Sequence, residues 1–132
     1  MDSQKQLRSY GLENMKYEGF PAISSYLLWM AKERGIPGAS LWPEIPYYLA
    51  ACEDFLATKA VLSFLNDRFS LDLEFTELNE EINNQDMKIS NLREEDSQIN
   101  DWIKSLESGL SIGEAEQVEL IKRVSEILER RD

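Results

Sequence analysis

The sequence predicts an α+β protein that is predominantly helical: a partial α/β domain over residues 1–75, then a long antiparallel helical hairpin over residues 76–132. The first part has the pattern of half of a Rossmann-like α/β domain. Two observations support this division. An amphipathic helical pattern and a short apolar run adjoin each other before residue 49. The apolar spacing changes to seven residues after residue 76. One helix and one strand cannot bury both faces of a sheet, so we expect further strands from elsewhere.

Residues 22–34 have the pattern of an amphipathic helix. Pro21 suits the position where a helix begins, because the N–H that proline lacks is not needed there. Gly35, followed by Pro37, is typical of a helix end. The apolar residues that recur at helical spacing are Ile23, Tyr26, Leu27, Met30 and Ala31.

A strand is predicted over residues 38–42, where a short apolar run lies between helix-breaking residues. Pro43 and Pro46 prevent regular ladder bonding after it, so a stiff loop should follow. This loop is the candidate ligand or partner site, and its residues are Trp42, Glu44, Tyr47 and Tyr48. The Glu44 carboxylate could hold a proton, a cation or an amine. The alternative is that the aromatic residues close the end of the sheet or a subunit contact, while Glu44 caps the next segment.

A second helix is predicted over residues 54–69, with Asp54 as its N-cap. Its apolar face comprises Phe55, Ala57, Val61, Leu62, Leu65 and Phe69. Residues 70–75 alternate between apolar and polar types. That pattern fits either a half-buried strand or an extended connector, and the sequence does not decide between them.

From Thr76 the apolar residues alternate in steps of four and three, which is the spacing of a coiled-coil seam. The predicted helix covers residues 76–107. Gln85 and Asp96 fall on seam positions as polar insertions that can fix the register of a coiled coil. We expect the seam to mediate self-association through Leu78, Ile82, Ile89, Leu92, Ile99, Ile103 and Leu106.

The last predicted helix covers residues 112–130. Ser111, with Glu114 three residues later, has the pattern of a capping box. Ser108 and Gly109 end the preceding helix, so the connection is only a few residues long. Such a short connection predicts that the two helices form an antiparallel hairpin.

Composition and charge disfavour several classes of function. The net charge of −11 and the pI near 4.5 disfavour binding to nucleic acid or to anionic membranes, because both need clustered cations. There is no apolar run of about 18 residues and no basic leader, so we expect no membrane span and a cytoplasmic location. Cys52 is the only cysteine and histidine is absent, which excludes an intramolecular disulfide and histidine-based acid–base catalysis.

The expected site therefore contains no catalytic residue, no metal and no cofactor. A Cys/His zinc site needs more ligands of these types than the chain has. The glycines match neither the dinucleotide-binding pattern nor the P-loop pattern, so they are better explained as turns. Cys52 most simply serves as a small apolar residue in a helical patch.

An ordered series of segments resembles the archaeal proteasome assembly chaperone family, which also includes the eukaryotic second proteasome assembly chaperone. The resemblance extends from about Glu18 to Leu78. Its segments are Glu18-Gly19-Phe20, the helix end Leu-Leu-Trp-Met-Ala-Lys-Glu-Arg-Gly-Ile-Pro-Gly at 27–38, the loop Glu-Ile-Pro-Tyr-Tyr at 44–48, and Ala57-x-Lys59-Ala60-Val61-Leu62-x-Phe64-Leu65. The acidic hairpin that follows resembles the C-terminal extension of archaeal members.

The resemblance implies an α/β fold of which this chain is the C-terminal half, the first half being a separate or preceding segment. It also implies homo-oligomers and, for some relatives, binding to proteasome subunits. Archaeal members have been labelled as ATP-grasp-like enzymes, but no residues here have a phosphate-gripping pattern. Some relatives end in a hydrophobic-Tyr-any residue tail, and the end of this chain, Glu129-Arg130-Arg131-Asp132, departs from that pattern.

We therefore expect a non-enzymatic assembly protein that self-associates through its α/β part and its helical seam. Its expected partners are further copies of itself, proteasome subunits or a separate N-terminal half. The alternative is a ligand-binding or ATP-dependent enzyme remnant that uses the Trp42–Tyr48 loop. A third possibility is a purely structural oligomerisation half whose activity resides in the missing half.

Overall fold

The structure, a computed structural model, describes Arg8, residues 11–15 and residues 22–130. These residues fall into two compact units that divide between Trp42 and Pro43. The predictions made for residues 18–21 and for the last two residues lie outside the described part of the chain. The predicted domain boundary after residue 75 stays a prediction.

The first unit contains one described long helix, α1 (Ile23–Glu33). It ends in a Schellman motif: Gly35 N donates to Lys32 O, and Ile36 N donates to Ala31 O at 2.9 Å. Gly35 has a φ of +67°, a conformation that glycine adopts without steric cost. The predicted role of Gly35 as the end of the helix agrees with this geometry. None of the residues of α1 is buried.

The expected α/β half is not found, because none of the described residues forms a β-strand. Residues 38–42, predicted as a strand, have no regular secondary structure. A strand needs a neighbouring strand for its ladder of hydrogen bonds, and the described chain offers none. Residues 70–75 are a connector, in which Ser70 and Asp72 have positive φ angles that a regular strand does not allow.

The second unit is built from four helices and one short 3-10 turn. The elements are the 3-10 turn Tyr47–Leu49, α2 (Phe55–Phe69), α3 (Thr76–Glu95), α4 (Ser97–Glu107) and α5 (Glu114–Glu129). The 3-10 turn packs on α5, and α3 packs against α2, α4 and α5. Asp54 caps α2 as predicted, since its Oδ1 accepts a hydrogen bond from Ala57 N at 2.8 Å.

The single helix predicted over residues 76–107 is instead two helices, α3 and α4, separated at Asp96. Asp96 has extended backbone angles, and its Oδ1 accepts hydrogen bonds from Gln98 N and Ile99 N. Asp96 is therefore the N-cap of a new helix rather than a polar insertion in a continuous seam. The α3–α4–α5 arrangement replaces the predicted two-helix hairpin.

The start of α5 differs from the prediction by two residues. Glu116, not Glu114, reaches back to the helix start, where its Oε2 accepts a hydrogen bond from Gly113 N at 2.8 Å. Gly113 takes the N-cap position that was predicted for Ser111. The preceding helix, α4, ends in a Schellman motif, with Gly109 at φ +75° and Leu110 N donating to Ser105 O.

The core of the second unit lies between α3, α4, α5 and the 3-10 turn. Its most deeply buried side chains are Ile99, Ile103, Leu120 and Val124, each no more than 2% exposed. Leu49, Ile89 and Leu92 complete the buried cluster. The prediction of a predominantly helical protein is confirmed.

Candidate interaction surface

The loop that follows residue 42 is held against the helices by its 3-10 turn. Leu49 is buried in the core, and its N–H donates to Pro46 O at 2.9 Å. Ala50 N closes the turn by donating to Tyr47 O. Pro46 restricts the backbone just before the turn, and the stiffness predicted for this loop stays a prediction.

Tyr48 is the predicted loop residue that contacts the core. Its side chain is half-buried and packs on the buried cluster together with Cys52. Burial raises the pKa of Tyr48 above its ordinary value of 10.0, the negative charge of Glu107 adds to the rise, and Arg93 opposes it. Tyr48 therefore remains a neutral phenol at physiological pH and acts as packing.

The other three predicted loop residues are divided between the two units. Trp42 belongs to the first unit, where its indole N–H donates to Ser40 Oγ at 2.8 Å. Glu44 and Tyr47 belong to the second unit and are exposed. The role of these four residues in binding a ligand or partner stays a prediction.

An apolar groove lies along α2, beside the predicted loop. It has a volume of about 390 Å³ and is lined by Pro43, Ile45, Cys52, Asp54, Ala57, Thr58, Val61 and Leu62. The sequence predicts Val61 and Leu62 on the apolar face of a helix, but it does not predict the groove. The prolines on either side of Ile45 could have indicated it. Pro43 and Pro46 interrupt the hydrogen bonding of a strand, so Ile45 lies in a loop, where its side chain can line a groove.

The C-terminal end of α2 carries an exposed aromatic side chain and a cation. Phe69 is 61% exposed, and the Arg68 guanidinium lies over its ring, 5.6 Å from the ring centroid. The helix ends at Ser70, in the left-handed conformation, and Asn66 Oδ1 accepts a hydrogen bond from Leu73 N at 2.8 Å. This bond fixes the path of the connector as it leaves the helix.

A second, more polar cavity of about 300 Å³ lies between α3, the segment before α2 and the end of α5. Gln85 is buried at its floor and donates from Nε2 to Glu53 O at 2.7 Å. Lys88 Nζ donates to Arg130 O at 2.7 Å. These two hydrogen bonds hold the segment before α2 and the end of α5 against α3. The cavity is therefore a gap between elements that polar contacts join.

The residues of the predicted seam are distributed between the core and the surface. Ile89, Leu92, Ile99 and Ile103 are buried inside the second unit. Leu78, Ile82 and Leu106 are partly buried. Self-association through these residues stays a prediction, and the buried four are accessible to a second chain only if the unit opens.

No group of three or more cysteine or acidic side chains within residues 22–130, Arg8 or residues 11–15 has an arrangement that could hold a metal ion. No helix in the described part of the chain combines the length and the hydrophobicity that crossing a bilayer requires.

Comparison with known proteins identifies the family. The chain has no significant match among curated proteins or among solved structures. A family model, that of the PAC2 family, matches residues 2–93. This range contains every segment on which the resemblance to proteasome assembly chaperones was based, and the match confirms that resemblance. The chain, over most of its length, belongs to the PAC2 family.

Proposed function

We propose that this chain is a non-enzymatic assembly protein that associates with itself and binds proteasome subunits. Membership of the PAC2 family supports the role in proteasome assembly. The observation that carries the proposal is the large amount of apolar surface that both units expose. The exposed side chains include Ile23, Tyr26, Leu27 and Trp29 in the first unit and Ile45, Leu56, Phe69 and Val118 in the second.

Helix α1 provides the clearest physical argument for a partner. It has eleven residues, none of them buried, and Ile23 is 80% exposed. An isolated helix shorter than about 12 residues is marginally stable in water, because it forms too few hydrogen bonds to offset the free-energy cost of nucleation. Packing of its apolar face would supply the missing stability. Exposed apolar patches of this kind mark sites of protein interaction.

The spacing of the exposed residues on α1 also suits a protein partner. Ile23, Tyr26 and Leu27, all exposed, and the half-buried Met30 stand at positions i, i+3, i+4 and i+7, so they lie on one face of the helix. This is the spacing with which a helix fills an apolar groove on another protein. Tyr26 and Trp29, whose ring centroids are 5.9 Å apart, belong to the residue types that dominate binding energy at interfaces.

Two measurements test the proposal. Analytical ultracentrifugation of the full chain over a range of concentrations should show association above the monomer mass of 15.3 kDa. Biolayer interferometry against purified proteasome α and β subunits should show saturable binding. A wild-type chain that stays monomeric and binds neither type of subunit would overturn the proposal.

A pair of variants distinguishes specific binding through α1 from non-specific hydrophobic association. Leu27→Glu places a charge on the apolar face of α1 and should weaken subunit binding at least about tenfold, because the charge must be desolvated at the interface. Glu33→Gln changes a solvent-exposed position at the end of the same helix and should leave binding unchanged. Equal binding by the two variants would exclude α1 from the interface.

The same protein preparations address the ligand-binding alternative. Melting temperature should not change in millimolar ATP and Mg²⁺ if the chain is an assembly protein. A nucleotide-dependent rise that is lost in both Glu44→Ala and Tyr47→Ala would instead support an ATP-dependent site on the loop, because a ligand stabilises the state that binds it.

A further inference from the structure

We infer that a second copy of this chain docks on the groove beside α2, with the two α2 helices antiparallel about a two-fold axis near Val61 and Leu62. This inference rests on the proposed self-association and names the surface that carries it. The surface belongs entirely to the second unit, and three observations support it: the residue pattern along α2, the position of its exposed aromatic residue and the charges at its two ends.

The residue pattern of α2 presents one face that continues beyond the groove. Asp54, Thr58, Val61, Leu65 and Arg68 follow one another in steps of four and three, so they lie along one side of the helix. The first three of these residues line the groove. Leu65 is half-buried, and Phe69, four residues after Leu65, continues the apolar stripe on the same side. The groove is therefore one end of a stripe that runs the length of the helix.

The position of Phe69 relative to the groove fits a two-fold arrangement. In an antiparallel pair about Val61 and Leu62, residue 69 of one copy lies level with residue 54 of the other. Phe69 of each copy is then brought to the end of the groove near Ile45 and Cys52 of its partner. At each end of the interface, the Phe69 ring of one copy is then buried against Ile45 of the other copy. Each copy therefore makes the same set of contacts.

The charges at the two ends of α2 are complementary in this arrangement. Glu53 and Asp54 precede the helix, and Arg68 lies in its last turn. Antiparallel pairing brings Arg68 of each copy beside the acidic residues of the other, and it sets the positive end of one helix dipole against the negative end of the other. A parallel pairing would instead place like charges together at both ends. Charge complementarity therefore selects a second copy in the antiparallel direction.

The single native cysteine allows a direct test by cross-linking. Cys52 lines the groove, and residue 70 of the second copy should lie level with residue 53. Ser70→Cys should therefore give a disulfide-linked dimer under mild oxidation, with a 52–70 linkage identified by peptide mass spectrometry. Within one chain these residues are separated by the length of α2, about 20 Å, whereas a disulfide needs Cα atoms within about 7 Å. A linkage between chains is thus the geometrically allowed product.

Ala60→Cys is the control, because residue 60 is also exposed but lies on the opposite side of α2 from the stripe. It should cross-link at least about tenfold more slowly than Ser70→Cys. Equal rates, or no 52–70 linkage in a wild-type chain that sediments as a dimer, would overturn the assignment of this surface while leaving self-association intact. A wild-type chain that sediments only as a monomer would overturn self-association as well.

A second pair of variants tests the energetics of the same surface without a cysteine. Val61→Glu places a charge next to the two-fold axis and should raise the dissociation constant of the dimer at least about 100-fold, because two like charges are then buried together. Leu56→Glu, on the far side of α2 and 63% exposed, should leave the dissociation constant within about threefold of wild type. Circular dichroism checks that both variants keep their helix content.

A charge exchange tests the direction of the pairing. Arg68→Glu should weaken the dimer about five- to tenfold, and adding Glu53→Lys should restore most of the loss, because the charges then complement each other again with reversed sign. The Glu53 side chain is suitable for this exchange because its backbone carbonyl, not its carboxylate, accepts the bond from Gln85. A double variant that is weaker than either single variant would exclude the antiparallel arrangement.

Discussion

Arg93 and Glu107 form a bidentate ion pair across fourteen residues of sequence, with an Nη1–Oε1 distance of 2.8 Å and an Nη2–Oε2 distance of 3.2 Å. In one continuous helix these residues would lie about 21 Å apart. The pair can form only because the chain turns at Asp96 and α4 folds back along the end of α3. Arg93 Nε also donates to Asn100 Oδ1 at 3.0 Å, so one guanidinium holds both ends of α4.

Replacing Arg93 should loosen the α3–α4 turn at a modest cost. Arg93→Ala should lower the free energy of unfolding by about 1 kcal/mol, because the side chains are roughly a quarter and a half exposed and water screens the pair. A double-mutant cycle with Glu107→Gln, followed by urea unfolding, should give a coupling of about 0.5–1 kcal/mol that shrinks in high salt. Coupling near zero at low salt would contradict this reading of the pair.

Asp96 should be more important as an N-cap than as a charge. Asp96→Ala removes the acceptor of two hydrogen bonds at the start of α4 and should cost about 1–2 kcal/mol. Asp96→Asn keeps a capping oxygen and removes the pairing with Arg123, which is 3.5 Å away and partly exposed, so it should cost only a few tenths of a kcal/mol. Urea denaturation of both variants checks this order, and a reversed order would show that the charge dominates.

The buried seam residues should behave as core residues. Ile103 is fully buried, so Ile103→Ala should lower the free energy of unfolding by about 2–5 kcal/mol. Leu92→Asp should cost at least as much, because it buries an unpaired carboxylate, and it should lower the melting temperature whatever the protein concentration. Leu110→Ala, at an exposed position after α4, is the control and should change stability by less than about 0.5 kcal/mol. A Leu92→Asp chain that melts like wild type but sediments as a smaller species would instead place Leu92 in an interface between copies.

Tyr48 should make stability depend on pH in the alkaline range. Its folded-state pKa lies above the unfolded value of 10.0, so the folded chain holds the phenol proton more tightly. The unfolded chain therefore ionises first, and the stability conferred by the neutral phenol is present below pH 10 and falls as the pH rises above it. Tyr48→Phe should reduce the loss of stability between pH 9 and pH 11, measured by urea unfolding. Parallel curves for the two proteins would contradict the burial of this phenol in the folded state.

The helix ends were predictable where a single residue decides them. Gly35 and Gly109 each adopt a positive φ in a Schellman motif, and Asp54 caps α2, all at positions that the sequence marks clearly. The break at Asp96 was not predicted, because an acidic residue on a seam position fits both a polar insertion and an N-cap. The choice between them depends on whether α4 packs back on α3 and α5, which is a tertiary contact.

The expected strand illustrates a different limit of the sequence. Residues 38–42 have a composition that suits a strand, but a ladder depends on a second strand, which the composition of one segment cannot reveal. The groove beside α2 was missed for a related reason. A stripe that contains Val61 and Leu65 has the same pattern whether its side chains face the core or the surface, and only the packing of the neighbouring loop distinguishes the two cases.

The turn at Asp96 also affects the order in which the second unit forms. Helices α3, α4 and α5 follow one another directly in the chain and pack together, so the loops that close between these three helices are short. Domains with such local connectivity collapse to their native state in microseconds to milliseconds. Helices α3, α4 and α5 should therefore form early, and Leu49 should join their core later, when the 3-10 turn packs on α5.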